Sequence, residues 1–186
     1  MTRDGRSPFA GLALALAMVG AVAVAGGCAG EGGTIVTYPP ASARPPVADS
    51  PAVASTRAEL VRVLGDQNLV LADAQVPFRP AEGPALAGSP RAVYQVILPD
   101  DPGKGYIVVY ELRDPPTAVA AGADQASYLG TGPGRVQMPI GARHVLRQVG
   151  STIVLYSWVP DGSTDARADG IPLALETLGI PITVPS

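Results

Sequence analysis

Apolar residues in the second half of the chain fall into short runs of the kind that form β-strands. The two clearest pairs of runs are residues 91–98 with 105–112 and residues 144–149 with 152–158. β-branched and aromatic residues dominate these runs and turn-forming residues bound them, so each pair predicts a hairpin. Gly-Ser at 150–151 fits the two-residue II′ turn of the second hairpin. The central runs show no polar face, which indicates that part of each strand is buried on both sides.

Helical patterns surround these hairpins. A capping box, Thr56 with Glu59, predicts a helix over residues 57–64. An Asp-Pro start predicts a second helix over residues 115–128. A last helix is expected over residues 165–178, where Pro172 kinks it or begins a second segment. The weaker predictions are a strand over 69–74, a loop over 76–90 and a short edge strand over 180–184.

This order of elements predicts the α+β class. We expect a single antiparallel sheet of two hairpins with helices packed on one face. A ferredoxin-like arrangement is one way to build such a fold. The globular domain is expected to span residues 56–186, long enough to bury about two thirds of its unfolded surface.

The first 27 residues have the pattern of a secretory signal peptide. Arg3 and Arg6 precede an uncharged apolar run over residues 9–27. Small residues then lead to Cys28, the only cysteine of the chain. This segment resembles the lipobox of bacterial lipoproteins, with Ala25 at the position that usually holds leucine. The resemblance implies that the Cys28 thiol takes a diacylglycerol and becomes the new N-terminus.

Two alternatives to lipidation stay open. Ala23-Val24-Ala25 is also an A-x-A site, and cleavage there would release a soluble secreted protein. The apolar run could instead remain uncut, since about 20 apolar residues span a bilayer. In all three cases the rest of the chain lies outside the cytoplasm. We therefore expect an extracytoplasmic protein, anchored to the cell membrane by lipid.

Residues 28–55 are rich in Pro, Ala, Ser and Gly and show no apolar periodicity. The predicted organisation is therefore a signal peptide over 1–27, a lipidated N-terminus and tether over 28–55, and the globular domain. Cleavage before Cys28 would leave 15 acidic and 11 basic residues, a net charge of −4. This acidic balance disfavours nucleic-acid binding. The expected partners are the membrane, through the lipid, and an envelope protein.

The composition restricts the chemistry of the folded part. With Cys28 bound to lipid, no thiol remains for a disulfide, a zinc-thiolate site or a cysteine nucleophile. His144 is the only histidine and lacks motif partners, so a structural role at the start of a strand is expected. Asp100-Asp101 is expected to be a solvated turn. We assign no catalytic residue, no metal ligand and no cofactor.

Glu111, His144 and Tyr110 are the candidate binding residues. Glu111 lies in an apolar strand, where an unpaired buried carboxylate is costly, so Arg113 or Arg147 is its expected partner. Tyr110 is expected in the core. If it shared an exposed face with the other strand tyrosines, Tyr94 and Tyr106, the three would form a patch for a partner.

The domain also resembles a set of uncharacterised bacterial lipoproteins. The residues that carry this resemblance are IVVYEL at 107–112, HVLR at 144–147, TIVLY at 152–156 and a closing helix that ends in Leu-Gly. The family shares a "VYEY, helix, PHFY, IVLY, helix, LG" layout. In this chain Ala142-Arg143 stands where a proline would precede the histidine, and Val145 replaces an aromatic residue. The resemblance implies an envelope lipoprotein and no particular activity.

Three functions follow as hypotheses. The first is a non-enzymatic domain on a tether that contacts another envelope component. The second is a small-molecule-binding module with an apolar pocket between sheet and helices. The third is a hydrolase that uses His144 or Glu111.

Overall fold

The computed structural model describes residues 49–185, and the fold is given for these residues. The predicted signal peptide, Cys28 and most of the predicted tether lie outside the described residues. The elements in chain order are α1 (Pro51–Gly65), β1 (Leu71–Asp73), α2 (Pro84–Ala87), β2 (Arg91–Val96), β3 (Tyr106–Glu111), α3 (Pro115–Gly130), β4 (Arg143–Val149), β5 (Thr152–Trp158), α4 (Gly170–Glu176) and β6 (Ile180–Pro181). Two 3₁₀ turns, Pro133–Gln137 and Ala166–Asp169, precede β4 and α4.

The six strands form one sheet in the order β1-β2-β3-β5-β4-β6, and every neighbouring pair is antiparallel. The two predicted hairpins are β2–β3 and β4–β5. They join through β3 and β5, where Ile107 lies opposite Tyr156. Gly150 has a φ of 57°, the left-handed value that a II′ turn needs at its first central residue. The α+β class with a single antiparallel sheet is confirmed.

Helices cover both faces of this sheet, so the prediction that they pack on one face was wrong. Ile107 and Val109 of β3 pack with α1 and α4. Val108 and Tyr110, which alternate with them, pack with α3 and α2. Successive side chains of a strand point to opposite faces, and all four of these residues are apolar or aromatic. A strand of this kind needs a helix layer on each side, which also excludes a ferredoxin-like arrangement.

Helix α1 begins six residues earlier than the sequence predicts. Ser50 caps it by accepting a hydrogen bond from the Val53 backbone at 3.2 Å, and Pro51 occupies the first helical position. Thr56 is therefore inside the helix and not at its cap. Its hydroxyl is buried and hydrogen-bonds to the Thr152 hydroxyl of β5 at 2.8 Å. Residues 51–55, which composition placed in the tether, thus belong to the helix.

The C-terminal elements follow the prediction more closely. The expected last helix is divided into the 3₁₀ turn and α4, with Pro172 in the first turn of α4. Arg147 of β4 donates hydrogen bonds to the carbonyls of Glu176, Leu178 and Gly179, and it thereby satisfies the end of α4. The short edge strand is β6, which pairs with β4.

Among the described residues, no helix combines the length and the apolar character that a membrane crossing requires.

Candidate functional site

A cavity of about 560 Å³ opens at one end of the sheet, where β3 begins and β5 ends. Two stacked aromatic pairs line it. The rings of Phe78 and Tyr106 are parallel within 6°, with centroids 4.4 Å apart. The rings of Tyr156 and Trp158 lie within 13° of parallel, with centroids 5.3 Å apart. These four side chains give the cavity large apolar contact surfaces.

The two aromatic pairs come from opposite sides of the sheet. Tyr156 and Trp158 belong to the side covered by α1 and α4. Phe78 packs against the side covered by α3. The cavity therefore extends past the end of the sheet from one face to the other. The two aromatic pairs lie on different faces because side chains along a strand point alternately to the two faces of the sheet. No single sequence motif forms the cavity.

Residues 78–81 line one wall of the cavity, and Gln125 of α3 holds this segment at Ala81 and at the following Gly83. The buried Gln125 amide donates to the Ala81 carbonyl at 2.9 Å and accepts from the Gly83 backbone at 2.7 Å. A Cβ added to Gly83 would come within 3.3 Å of the Gln125 oxygen, so the absence of a side chain allows this close approach. Both contacts satisfy backbone groups that are shielded from water.

Glu82 fixes the same wall to the sheet. Its side chain is only 2% exposed, and it forms ion pairs with Arg79 at 2.7 Å and Arg91 at 3.0 Å. The Tyr110 hydroxyl donates a hydrogen bond to the Glu82 carboxylate at 2.7 Å. The pKa of Tyr110 is raised mainly by burial and secondly by this hydrogen bond to a carboxylate. Tyr110 is therefore a fully buried support of the wall and not a residue that a ligand can reach.

The hypothetical tyrosine patch does not exist. Tyr94 and Tyr110 are both buried, and they belong to opposite faces of the sheet. Tyr94 donates to Asp49 at 2.8 Å, and burial is the main cause of its raised pKa. Of the three tyrosines, Tyr106 is the one that lines the cavity.

The opposite wall is the segment from Val159 to Asp169, which is held by the β2–β3 turn. Asp101 accepts a hydrogen bond from the Ser163 hydroxyl at 2.9 Å, and the Asp100 backbone donates to Asp165 at 3.2 Å. Arg167 donates to both carboxylate oxygens of Asp165, and these bonds hold the pKa of Asp165 well below its usual range. The Asp100-Asp101 turn is thus not simply solvated, because it organises a neighbouring loop.

His144 contacts a serine that sequence spacing did not favour. Its Nδ1 lies 2.8 Å from the Ser157 hydroxyl oxygen, because the two residues face each other across β4 and β5. Burial lowers the pKa of His144, so the imidazole is neutral at pH 7. Within residues 49–185 no carboxylate hydrogen-bonds to His144. The pair therefore lacks the acid that orients the imidazole in a catalytic triad.

His144 also lines a second cavity, of about 650 Å³, beside the first. Val136 and Ile140, which are the most exposed large apolar residues of the described chain at 86% and 101%, lie on its rim. Ser157 lines the first cavity and His144 the second, so this cross-strand pair lies between them.

Glu111 does not make either ion pair expected from the sequence. Arg113 pairs with the adjacent Asp114 at 3.0 Å. Arg147 donates to backbone carbonyls at the end of α4. Glu111 is half-buried at the end of β3, opposite Thr152, and is not part of either cavity.

The sequence named Tyr106 as a possible binding residue but did not identify the other residues that make the site. Tyr106 and Trp158 stand at strand ends next to Gly-rich turns, and such placement is the signal that could have identified them. Phe78 lies in a segment without periodicity, and Asp169 lies in the predicted last helix, where nothing in the sequence marks it as a site residue. Within residues 49–185, no three His, Cys, Asp or Glu side chains group as a metal site would require. Comparison with protein-family models, with curated proteins and with solved structures found no match.

Proposed function

We propose that this chain is a lipid-anchored protein of the cell envelope whose folded domain binds a small molecule in the aromatic cavity without catalysing a reaction. The observation that carries the binding function is the cavity of about 560 Å³ with its two aromatic stacks. Ligand pockets are typically about 300–1,000 Å³ and combine apolar walls with a few polar groups. The Ser157 hydroxyl and the Asp169 carboxylate supply such groups here.

The anchor and the location rest on the sequence. The signal-peptide pattern and the lipobox-like residues before Cys28 support an extracytoplasmic position. The resemblance to uncharacterised lipoproteins remains a prediction. A non-catalytic role is supported by His144 and Ser157, which hydrogen-bond but have no acid partner in the described part of the chain.

Binding can be tested through Trp158, the only tryptophan of the chain. We expect a screen of small ring compounds against the full chain to find molecules that change Trp158 fluorescence saturably. Phe78→Ala should weaken their binding, because it removes half of one aromatic stack. Val119→Ala, on the exposed side of α3, is the matched control and should bind normally. If no compound alters the emission of the folded protein, the proposed function is wrong.

The anchor requires a separate test. In a bacterial host we expect the mature chain to fractionate with membranes and its N-terminal peptide to carry a diacylglycerol on Cys28. Cys28→Ser should release the protein from membranes, whereas Ser42→Ala, in the predicted tether, should not. An unmodified Cys28 in a membrane-free chain would contradict lipidation while leaving the cavity proposal intact.

Contact with an envelope protein is the second candidate function. It is favoured by Val136 and Ile140, whose apolar side chains extend into solvent beside the second cavity. Replacing both with Ser should abolish co-purification of an envelope protein without lowering stability. Retention of that protein by the double variant would exclude this surface.

A further inference from the structure

We propose that the ligand of the aromatic cavity is an organic cation, an amine or a quaternary ammonium compound, bound over Trp158 and beside Asp169. This inference rests on the proposed function, because it assigns a chemical class to the ligand of the same cavity. It is carried by two independent features of the lining, its aromatic faces and its carboxylates that form no ion pair.

The first feature is the stack of Tyr156 and Trp158. Tyr156 is 4% exposed, whereas Trp158 is only partly buried, so Trp158 presents the accessible aromatic surface of this pair. The face of an aromatic ring carries negative partial charge, and tryptophan attracts cations more strongly than the other aromatic side chains. A cation within about 6 Å of the ring centroid gains from this attraction.

The second feature is the balance of charged groups on the lining. The charged side chains of the lining are Arg79, Lys104, Asp161, Asp165 and Asp169. Asp165 is engaged by Arg167, and Arg79 shares the single carboxylate of Glu82 with Arg91. Among the described residues, Asp161, Asp169 and Lys104 form no ion pair. Asp161 and Asp169 are therefore carboxylates without a cationic partner on this lining, and a positively charged ligand can supply one.

Asp169 lies on the same side of the sheet as the aromatic stack. It ends the 3₁₀ turn that begins at Ala166, and the preceding Ala168 packs in the core cluster that contains Tyr156. Burial and the negative charge of Asp169 together raise the pKa of Tyr156 to about 12. A carboxylate and an aromatic stack thus belong to the lining of one cavity, and aromatic faces of this kind recognise ammonium ligands.

The test compares choline with its neutral isostere, 3,3-dimethylbutan-1-ol, which has the same shape without the charge. Both are titrated into the full chain while Trp158 fluorescence is followed. We expect saturable binding of choline that is about tenfold or more tighter than binding of the isostere, in line with a desolvated cation–π contact. Added salt should weaken choline binding and leave the isostere unaffected.

Two variants locate the site. Asp169→Asn should weaken choline binding several-fold and leave the isostere unchanged, whereas Asp124→Asn, an exposed acid on α3, is the matched control and should have no effect. Trp158→Leu removes the fluorophore, so its binding is measured by isothermal titration calorimetry and should be lost. Its folding is checked by circular dichroism.

The outcomes separate this inference from the proposed function. Equal affinity for choline and the isostere, or tighter binding of benzoate than of choline, would overturn the cation assignment and leave small-molecule binding in place. The same conclusion follows if ring compounds from the screen bind but no cation does. If neither cations nor ring compounds bind, the proposed function fails as well.

Discussion

Gln125 joins Ala81 of the cavity wall, and the neighbouring Gly83, to helix α3, and its replacement by methionine tests how this wall is held. Methionine keeps the length and the apolar stem of the side chain but cannot make the two hydrogen bonds to Ala81 and Gly83. The side chain is 1% exposed, so water does not have access to the backbone groups that would be left without partners. Gln125→Met should therefore destabilise the domain.

The expected loss follows from these two contacts. A buried backbone group left unsatisfied costs about 1–3 kcal/mol, so two of them set a range of about 2–6 kcal/mol. In the variant the segment can shift and admit some water, so we expect the free energy of unfolding to fall by about 3 kcal/mol. This is a large part of the roughly 5–15 kcal/mol that stabilises a typical domain.

Urea denaturation followed by Trp158 fluorescence measures this loss. The matched control is Gln95→Met, because Gln95 also donates to two backbone carbonyls, those of Pro102 and Lys104, but at the surface. Water can replace both of its bonds, so the control should lose less than about 1 kcal/mol. Equal losses in the two variants would refute the reasoning, since burial is what distinguishes them.

Two further predictions concern the ends of helices. Arg147→Met should lower the free energy of unfolding, measured by urea denaturation, by about 2 kcal/mol, because it removes charged donors from the carbonyls that end α4. Arg147→Lys should recover part of this loss. An unchanged urea midpoint for the methionine variant would contradict this prediction. Asp114 caps α3, and its hydrogen bonds with Thr117 lower its pKa from 3.8 to about 2. The contribution of Asp114 to stability should be complete above pH 4 and lost as the pH falls through 2. Asp114→Ala should therefore lower the melting temperature at pH 6, and the melting temperature of the variant should fall less between pH 4 and pH 2 than that of the unmodified protein. An equal fall in both proteins would contradict this prediction.

Local patterns in the sequence predict most of the strands and helices, because each depends on near neighbours. Both hairpins and the start of α3 at Pro115 follow from β-branched runs, turn residues and a helix cap. The start of α1 could not be settled in this way, since Ser50-Pro51 and the Thr56 capping box are both adequate signals. In the structure the helix starts at Pro51, and Thr56 hydrogen-bonds to Thr152 of β5, a long-range contact that local signals do not contain.

The sequence pattern indicates that helices cover both faces of the sheet, although the prediction placed them on one face. The runs at 107–110 and 153–156 have no polar position, and strands with two apolar faces require cover on both sides. Alanine-rich α3 is a helix that can supply the second layer, since Ala118, Ala121 and Ala126 let it lie close to the sheet. The prediction of one helix layer therefore conflicts with the strand pattern on which it was based.

The place and the lining of the cavity could not be predicted, because its residues share no common local signature. Its aromatic residues come from three separate parts of the chain, and Phe78 meets Tyr106 across 28 positions in sequence. Each part alone is typical of a turn or of a strand end. What brings them together is polar anchoring at a distance, through Gln125 and Glu82 on one wall and the Asp165–Arg167 pair on the other. A binding site of this kind is specified by the groups that hold its loops, and those groups appear in the sequence as unremarkable polar residues.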